Sequence, residues 1–352
     1  MENTYFFKDK PVFGLDVGYG SLKVMQIDRH GKKPAVTGYG VASFEETALK
    51  DGVILNQDVV AKAARELFDG RLIGDITSRR VCLAIPAGRT YTRSISLPNL
   101  SSSDLAEAIR TEAEQYIPMP IDELYIDHTI ISHSEKGIEV LAVAVPRKIV
   151  DSYMDLAHIL GLEVVAIEST IGASSRLFVQ AENSDVPTVL IDFGSVSSDI
   201  TIYEKALVVT GTVPGGGDSF TNLIADVLKV SKQEAHIIKT KYGLGLSKKQ
   251  REITAAMSPL LDQLAKEVRR MIRYYEERGK TDTKISQIVT MGGGANMPGL
   301  SEYLTNSLRL AVRMCDPWQN LDFHHLPHPN SIEKSMYVTV AGLALVDPKE
   351  VF

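Results

Sequence analysis

Residues 14–23 read Gly-Leu-Asp-Val-Gly-Tyr-Gly-Ser-Leu-Lys, and residues 190–199 read Leu-Ile-Asp-Phe-Gly-Ser-Val-Ser-Ser-Asp. In both stretches an apolar strand ends in an aspartate, a turn of glycine and small residues follows, and the chain returns in a second apolar strand, at residues 24–27 and 200–203. Glycine adopts positive φ readily, and small residues let backbone N–H groups approach an anion. We therefore predict two phosphate-binding hairpins, which would form a nucleotide clamp if they face each other.

The strand after each turn separates this pattern from other glycine-rich phosphate sites. A Walker loop or a dinucleotide-binding fingerprint places its glycines between a strand and a helix, with a different spacing. Asp16 and Asp192 stand at equivalent strand ends, where two carboxylates can hold a hydrated Mg²⁺ ion from opposite sides. Each Asp-x-Gly alone is also typical of an ordinary hairpin turn. The repetition, with matching strands on both sides, favours the nucleotide site.

The composition is that of a globular chain with room for two lobes. Its 352 residues are 44% hydrophobic and 23% charged, with a net charge of −6. The dispersed Lys and Arg residues indicate no basic surface for nucleic acid. No apolar run approaches the roughly 18 residues that cross a bilayer, and residues 1–10 mix charged and aromatic side chains, unlike a signal peptide. We expect a cytoplasmic protein that binds no nucleic acid.

Cysteine and histidine usage gives little support for disulfide or metal chemistry. Cys82 and Cys315 lie far apart without a partner motif, as expected of reduced, buried thiols. His324, His325 and His328 lie among prolines in a predicted loop, where a solvated loop is favoured over a metal site.

The order of the remaining elements is that of an α/β protein. Helical spacing over residues 57–68 is followed by a buried strand at 81–85. Residues 89–161 have their own pattern of strand, helix, strand pair and helix, and Ser101 with Asp104 can cap the first of these helices. A strand at 164–167 then ends in Glu168, before a helix at about 169–180 leads to the second hairpin.

Two glycine-rich turns lie in the same half of the chain as Asp192. Residues 214–218, Pro-Gly-Gly-Gly-Asp, open a helix, so we expect free N–H groups and a positive dipole end there. Helices near 232–239 and 253–277 and a strand at 288–290 precede the second turn, Gly-Gly-Gly-Ala-Asn at 292–296. Consecutive glycines suit a flat ligand lying against bare backbone, so we predict that both turns contribute to an adenosine pocket.

These features together resemble the actin, Hsp70 and sugar-kinase superfamily. Besides the hairpins and the adenosine turn, the chain has a final helix of small residues, Tyr-Val-Thr-Val-Ala-Gly-Leu-Ala at 337–344. The resemblance implies an α/β, two-lobed actin-like (ribonuclease H-like) ATPase fold. Residues 95–98, 112–118, 293–300 and 316–318 closely resemble the PilM family of type IV pilus assembly proteins, which is related to the cell-division protein FtsA.

The family resemblance implies four subdomains, including an FtsA-type 1C subdomain. Subdomain 1A would comprise residues 1–88 and 162–188, to which the C-terminal helix 337–352 returns. Subdomain 1C would comprise residues 89–161. Subdomain 2A would comprise residues 189–214 and 281–336, and subdomain 2B residues 215–280.

The same resemblance implies a cytoplasmic ATP-binding adaptor of type IV pilus assembly at the inner-membrane face. It would bind the N-terminal cytoplasmic tail of PilN in a groove between 1A and 1C and reach the membrane only through PilN. Other pilus machinery proteins would be further partners, and self-association stays open. Residues 86–91 and the edge of the 89–161 module are the candidate peptide contacts. ATPase activity would be at most slow.

The site residues implied by the resemblance fall into three groups. Glu168 lies where the superfamily keeps a Gln or Glu that orients the attacking water, and with Asp16 and Asp192 it forms the candidate catalytic set. Asp16 and Asp192 would also hold Mg²⁺ through water. The candidate ATP-binding residues are Gly18, Tyr19, Gly20, Ser21 and Lys23 in the first hairpin, Gly194, Ser195 and Ser197 in the second, and Gly215, Gly216, Gly217, Asp218, Lys239, Gly292, Gly293 and Gly294 around the adenosine.

Some positions depart from the superfamily pattern. Ser195 and Val196 replace glycines common in the second hairpin, which narrows the backbone approach to phosphate and would slow hydrolysis. His236 stands where relatives usually carry a ribose-binding glutamate, with Glu234 as a neighbouring substitute. These departures support nucleotide binding better than turnover.

Two other functions fit the same fold. A sugar or acetate kinase would need a catalytic base and a polar substrate site, and no Asp or His outside the nucleotide residues clearly supplies the base. A filament-forming, FtsA-like cytoskeletal protein would need complementary end surfaces.

Overall fold

The computed structural model of this chain describes residues 11–31, 33–135, 137–182, 186–204, 206–278, 284–330 and 333–347. The sequence predictions for residues 1–10 and for the last five residues fall outside this range. Within the described range, no helix combines the length and the apolar character needed to cross a bilayer.

The first half of the chain builds a six-stranded sheet in the order β11-β7-β1-β2-β3-β6. Strands β1 and β2 form the first predicted hairpin, and β7 and β11 add to β1 in parallel. The strands are β1 (Phe13–Val17), β2 (Ser21–Asp28), β3 (Ala35–Ser43), β6 (Ile73–Gly74), β7 (Arg80–Ile85) and β11 (Glu163–Ser169), with a separate small pair β4 (Leu49–Lys50) and β5 (Val53–Ile54).

The second half builds a five-stranded sheet in the order β14-β13-β12-β15-β16. Strands β12 and β13 form the second predicted hairpin, β14 pairs with β13 antiparallel, and β15 and β16 follow in parallel. The strands are β12 (Thr188–Phe193), β13 (Ser197–Glu204), β14 (Ala206–Pro214), β15 (Gln287–Met291) and β16 (Ala311–Met314). Strand directions and order match β3-β2-β1-β7-β11, so the local repeat seen in the sequence extends to two whole sheets.

Most of the 89–161 segment, from Tyr91 to Pro146, forms a separate layer on the first half, whereas its last helix packs into the core of the first lobe. Its sheet has the order β8-β10-β9, with β8 (Tyr91–Leu97), β9 (Leu124–Ser134) and β10 (Gly137–Pro146). Helix α2 (Ser102–Tyr116) packs its apolar face on this sheet, and the Ser101 hydroxyl accepts the Asp104 N–H at 3.3 Å, as the sequence predicted.

The other helices cover the two large sheets. Helix α1 matches the predicted 57–68 span, whereas the predicted C-terminal helix ends at Ala344. The helices are α1 (Gln57–Phe68), α3 (Arg147–Ile159), α4 (Thr170–Glu182), α5 (Gly217–Leu228), α6 (Lys232–Lys241), α7 (Gln250–Arg278), α8 (Leu300–Leu308) and α9 (Val338–Ala344).

The period of two in the hairpin strands decides where the aspartates point. Leu15 and Val17 pack with α1 and α3 in the core of the first lobe, so Asp16 faces the opposite side. Ile191 and Phe193 pack with α5 and α7 in the core of the second lobe, so Asp192 points the other way, on the side of Leu190. Both carboxylates therefore face the layer between the sheets, which α4 and α9 fill.

Candidate nucleotide-binding cleft

The first hairpin carries its own counter-charge. Asp16 and Lys23 are partners in the β1–β2 register, and Lys23 Nζ lies 3.1 Å from Asp16 Oδ2, with side chains only 12% and 10% exposed. The turn closes through the Gly18 N–H, which donates to the Ser21 carbonyl at 2.9 Å. Gly20 has a φ of 86°, which explains the glycine there.

Tyr19 does not point its hydroxyl at an open phosphate site in this arrangement. The Gly52 N–H donates to its oxygen at 3.1 Å, so Tyr19 joins the first hairpin to the turn after β4. The remaining backbone groups of the Gly18–Ser21 turn are the part of the first hairpin that suits an anion.

The second hairpin holds its aspartate without a direct cation. The Ser174 hydroxyl of α4 donates to Asp192 Oδ2 at 3.2 Å. Burial raises the pKa of Asp192 to about 7, the negative charges of Asp199 and Asp16 add to the rise, and the Ser174 hydrogen bond and Lys23 oppose it. Because the charges of Asp16 and Lys23 on the first hairpin affect the pKa of Asp192 on the second, the two hairpins face one crevice.

Asp199 is a further acidic residue of the crevice that the sequence analysis did not select. It is the register partner of Asp192 on β13, and the Thr212 hydroxyl donates to its Oδ1 at 2.6 Å. Burial raises the pKa of Asp199 to about 6. The sequence could have indicated Asp199, because it is the last residue of the second hairpin stretch, residues 190–199.

The first glycine triplet corrects one sequence expectation. The N–H groups of Gly215, Gly217 and Asp218 donate to the carbonyls of Val196, Gly194 and Ser195 at 2.8–2.9 Å. These N–H groups are therefore used to fasten the start of α5 to the turn of the second hairpin and are not free for an anion. A Cβ at Gly216 would collide with the Gly194 carbonyl, so glycine is needed there for backbone packing. Ser197 begins β13 opposite Pro214.

The second glycine triplet lies against the same hairpin. Gly292 has a φ of 82°, and a Cβ there would collide with Asp192 Oδ1 and the Phe193 carbonyl. A Cβ at Gly294 would press on Phe193, whereas the nearest atom to one at Gly293 is 3.9 Å away, in Met336. Gly293 is thus the member of this turn with space beside its backbone.

A charged cluster lies beside the start of α5. Lys239 Nζ, largely buried, donates to the Gly217 carbonyl at 2.7 Å. Burial lowers the pKa of Lys239 and of His236, whereas burial and then the charge of Glu46 raise the pKa of Asp218.

Two charged groups near this cluster have structural partners. Glu234 Oε2 accepts hydrogen bonds from the Ser231 N–H and hydroxyl in a capping box at the start of α6. Lys232 Nζ lies 3.2 Å from Glu46 Oε1, which joins α6 in the second lobe to the turn before β4 in the first. This ion pair bridges the two lobes.

Glu168 lies in the same sheet row as Asp16, with Ala84 of β7 between them. Both of its carboxylate oxygens are held by Arg176 of α4, at 2.7 Å from Nη1 and 2.9 Å from Nη2. The structure therefore gives Glu168 a bidentate partner that the sequence did not indicate.

Comparison with known proteins identifies the family. The model of the family described as type IV pilus assembly protein PilM matches residues 14–347. This chain belongs to the PilM family. Among solved structures, the chain matches one titled PilM-PilN type IV pilus biogenesis complex with a TM-score of 0.83 and 22% identity, over 96% of this chain and 98% of that chain.

More distant relatives fit the same fold. FtsA of Pseudomonas aeruginosa is 22% identical over 359 residues, covering 88% of this chain and 84% of that protein. MreB5 of Spiroplasma citri bound to ADP matches with a TM-score of 0.53 and 13% identity, covering 95% of both chains. The fold is therefore the two-lobed actin-like α/β fold that the resemblance implied.

Glu168 also lines a large groove. It has a volume of about 920 Å³ and is lined mainly by β9, β10, β11 and α4, with Leu207 of β14 at one end. Its lining is largely apolar and includes Leu141, Val143 and Val179, while the Glu168–Arg176 ion pair lies in its wall.

The candidate peptide contacts at 86–91 lie elsewhere for the most part. Ala87, Gly88, Thr90 and Tyr91 line a smaller cavity of about 240 Å³ beside Asp199. The sheet edge of the 89–161 module does reach the groove, because β9 is an edge strand and residues 125–129 line it.

The histidine loop and the cysteines add no metal centre to the described part of the chain, where no cluster of three or more His, Cys, Asp or Glu is placed to hold an ion. His324 Nδ1 lies 3.2 Å from Asp322, and the His328 ring lies 4.3 Å from that of Phe323. Burial raises the pKa of the Cys82 thiol to about 12, which makes it unreactive, and Cys315 is buried too.

Proposed function

We propose that this chain is an ATP-binding adaptor of type IV pilus assembly that binds the N-terminal tail of PilN. Family membership over residues 14–347 and the likeness to a PilM-PilN complex support the partner. The observation that carries the nucleotide is that Asp16 and Asp192 lie at equivalent strand ends of two like sheets and face one crevice, across which the charge of Asp16 contributes to the raised pKa of Asp192.

The residues present fit a magnesium-bound nucleotide. Asp192 is buried and Asp199 is half-buried, and in the described residues neither lies within ion-pair distance of a cation. Asp16 and Asp192 would hold Mg²⁺ through water, and the ion would neutralise phosphate charge. Lys23 and the backbone of the Gly18–Ser21 and Gly194–Ser197 turns would contact the phosphates, and Gly293 with the Asp218–Lys239 cluster would contact the nucleoside.

Binding is better supported than turnover. A residue that orients the attacking water must direct a carboxylate oxygen or amide at that water, whereas the bidentate pair with Arg176 fixes the orientation of the Glu168 carboxylate and uses part of its acceptor capacity. Ser195 and Val196 also give their carbonyls to the start of α5. We therefore expect hydrolysis to be slow at most, and the nucleotide to act mainly on conformation.

The groove of about 920 Å³ is the proposed PilN site. The proposed subdomain 1A supplies β11 and α4, and the proposed subdomain 1C supplies β9 and β10, so this groove is the one that fits the 1A–1C groove implied by the family resemblance. Its apolar walls suit a short peptide with apolar side chains. Binding there would hold the protein at the cytoplasmic face of the inner membrane through PilN alone.

The test is a binding experiment with two ligands. A fluorescent peptide matching the N-terminal tail of the PilN encoded with this protein is titrated with the purified chain, with and without Mg·ATP. Val143→Arg, which places a charge on the groove wall, should abolish peptide binding and leave Mg·ATP binding unchanged. Asp16→Ala should abolish Mg·ATP binding, and in the absence of nucleotide it should leave peptide binding unchanged. Failure of the native chain to bind the peptide would refute the adaptor role, and failure to bind Mg·ATP would refute the nucleotide role.

A further inference from the structure

Helix α4 joins the two lobes. It leaves β11 of the first sheet and leads to β12 of the second, so it is one of the connections between the lobes. It packs on α9, where Gly342 lies so close to Ala173 that a Cβ would collide with the Ala173 carbonyl. Arg176 adds a hydrogen bond of 3.1 Å to the Gly342 carbonyl. The two helices therefore move as one body.

One face of α4 reaches the nucleotide cleft through Ser174. This side chain is fully buried, donates to Asp192 Oδ2 at 3.2 Å, and lies 3.1 Å from the Thr339 hydroxyl of α9. A hydroxyl has one proton to donate. When Asp192 is ionised, Ser174 gives its proton to the carboxylate and Thr339 is the donor to Ser174, so that a chain of hydrogen bonds runs from α9 through α4 to Asp192.

An adjacent face of the same helix lines the groove. Gly172, Ser175, Arg176 and Val179 follow the i, i+3, i+4, i+7 spacing of one helical stripe, and all four lie in the groove wall. Ser174 directly precedes Ser175, so the contact to the cleft and the contact to the groove are one residue apart on a rigid helix.

We propose that Ser174 is the positioning residue that couples the nucleotide cleft to the peptide groove, an inference that rests on the proposed function. A shift of Asp192 on binding Mg·ATP moves Ser174 with it, because the hydrogen bond is buried and water cannot replace it. The stripe on α4 moves in turn and changes the shape of the groove. Thr339 fixes the direction of the Ser174 hydroxyl.

The experiment measures the coupling itself. The dissociation constant of the PilN-tail peptide is determined with and without saturating Mg·ATP for the native chain, Ser174→Ala, Thr339→Val and Thr339→Ser. In the native chain we expect the two constants to differ by about five-fold or more. In Ser174→Ala and Thr339→Val this ratio should fall below about two-fold, while each ligand alone still binds within about three-fold of native affinity. Thr339→Ser keeps the hydroxyl and should keep the coupling.

A matched control removes a different buried hydroxyl in the second lobe. Thr201 on β13 is fully buried, and among the residues that the structure describes its hydroxyl has no hydrogen-bond partner, so Thr201→Val should leave the ratio unchanged. A loss of coupling in this control would mean that any core change has the same effect, and would overturn the assignment.

The outcomes separate the inference from the proposed function. If the native chain binds no peptide, the adaptor role fails and the coupling fails with it. If it binds both ligands but the ratio is one, or if Ser174→Ala keeps the native ratio, the adaptor role stands and the inference is wrong. If Ser174→Ala loses Mg·ATP binding altogether, Ser174 belongs to the nucleotide site and the coupling role is overturned.

Discussion

The two hairpins that bear Asp16 and Asp192 have the same topology and a different charge balance. Asp16 and Asp192 are almost equally buried, at 7% and 8% exposure, and both end the central strand of like sheets. Asp16 has Lys23 at 3.1 Å, whereas Asp192 has the Ser174 hydroxyl, and in the described part of the chain no cation lies within ion-pair distance of it. The two hairpins therefore share a topology but differ in the charges beside their aspartates. Lys23 neutralises the carboxylate of the first hairpin, whereas the carboxylate of the second is free to bind a cation.

Removing each carboxylate in turn is the strongest test of this difference. Asp16→Ala should lower the free energy of unfolding by about 3 kcal/mol, because it leaves the Lys23 ammonium buried without its partner. Asp192→Asn should be neutral or stabilising at pH 8, because it removes a buried, uncompensated charge. Urea unfolding followed by circular dichroism measures both. The double variant Asp16→Ala/Lys23→Met should recover most of the loss, and equal destabilisation by both single variants would contradict the comparison.

The pH dependence of stability sharpens the same contrast. The pKa of Asp192 is about 7 in the folded chain, whereas the ordinary pKa of an aspartate side chain is 3.8. Between these two pH values the folded state keeps a proton that the unfolded state has lost. Stability from this group is complete below pH 3.8 and is lost as the pH rises toward 7. Relative to Asp192→Asn, the native chain without nucleotide should lose about 2–3 kcal/mol between pH 5 and pH 8.

Saturating Mg·ATP supplies the control for this titration. The bound cation favours the ionised carboxylate, so nucleotide affinity should weaken below pH 7 and binding should release protons, which calorimetry in buffers of different ionisation enthalpy detects. A pH-independent difference between the native chain and Asp192→Asn would show that Asp192 is already ionised.

The glycine turn beside the second hairpin gives a third test. Gly292→Ala should lower the unfolding free energy by about 2 kcal/mol, because it combines a positive φ with a collision at Asp192. Gly293→Ala should change stability little, since its nearest neighbour lies 3.9 Å away, and should weaken nucleotide binding instead. Thermal melts and nucleotide titrations of both variants distinguish the two roles, and a reversed pattern would exclude Gly293 as the nucleoside contact.

The smallest expected effect concerns the ion pair between the lobes. Lys232→Met breaks the exposed pair with Glu46 and should change stability by less than about 1 kcal/mol. It should nonetheless speed release of a fluorescent ATP analogue about two- to five-fold at low salt, because the pair spans the cleft, and the effect should vanish at high salt. Lys249→Met breaks a similarly exposed pair within one lobe, with Glu252, and should leave release unchanged.

Local patterns predicted most of the architecture. The aspartate, glycine turn and returning strand of each hairpin are contiguous in sequence, so their geometry follows from strand alternation and turn chemistry. Repetition of that pattern identified Asp16 and Asp192 as partners. Helix α1 and the capped start of α2 were likewise encoded within a few residues.

Contacts between distant segments were not predictable in the same way. The strand pattern that ends at Glu168 does not indicate that Arg176, eight residues later on α4, would bind both of its oxygens. Three of the N–H groups expected to be free at 215–218, those of Gly215, Gly217 and Asp218, donate to a turn some 20 residues earlier. Asp199 was visible in the hairpin pattern, but its burial depends on Thr212 of the next strand and on the turn at Gly88. The packing of the folded chain decides these hydrogen-bond partners and this burial, and a local sequence pattern carries no information about that packing.

Residues close together in the chain were enough to predict the two hairpins, the faces of the strands that bear Asp16 and Asp192, and the resemblance to the PilM family. The three-dimensional packing was needed to show which carboxylate lies beside a lysine, which lies beside a serine, and which helix reaches both cleft and groove. Charge compensation and burial depend on distances through space, and those distances are set where α4 packs on α9, whose residues Ser174 and Thr339 are 165 positions apart in the sequence.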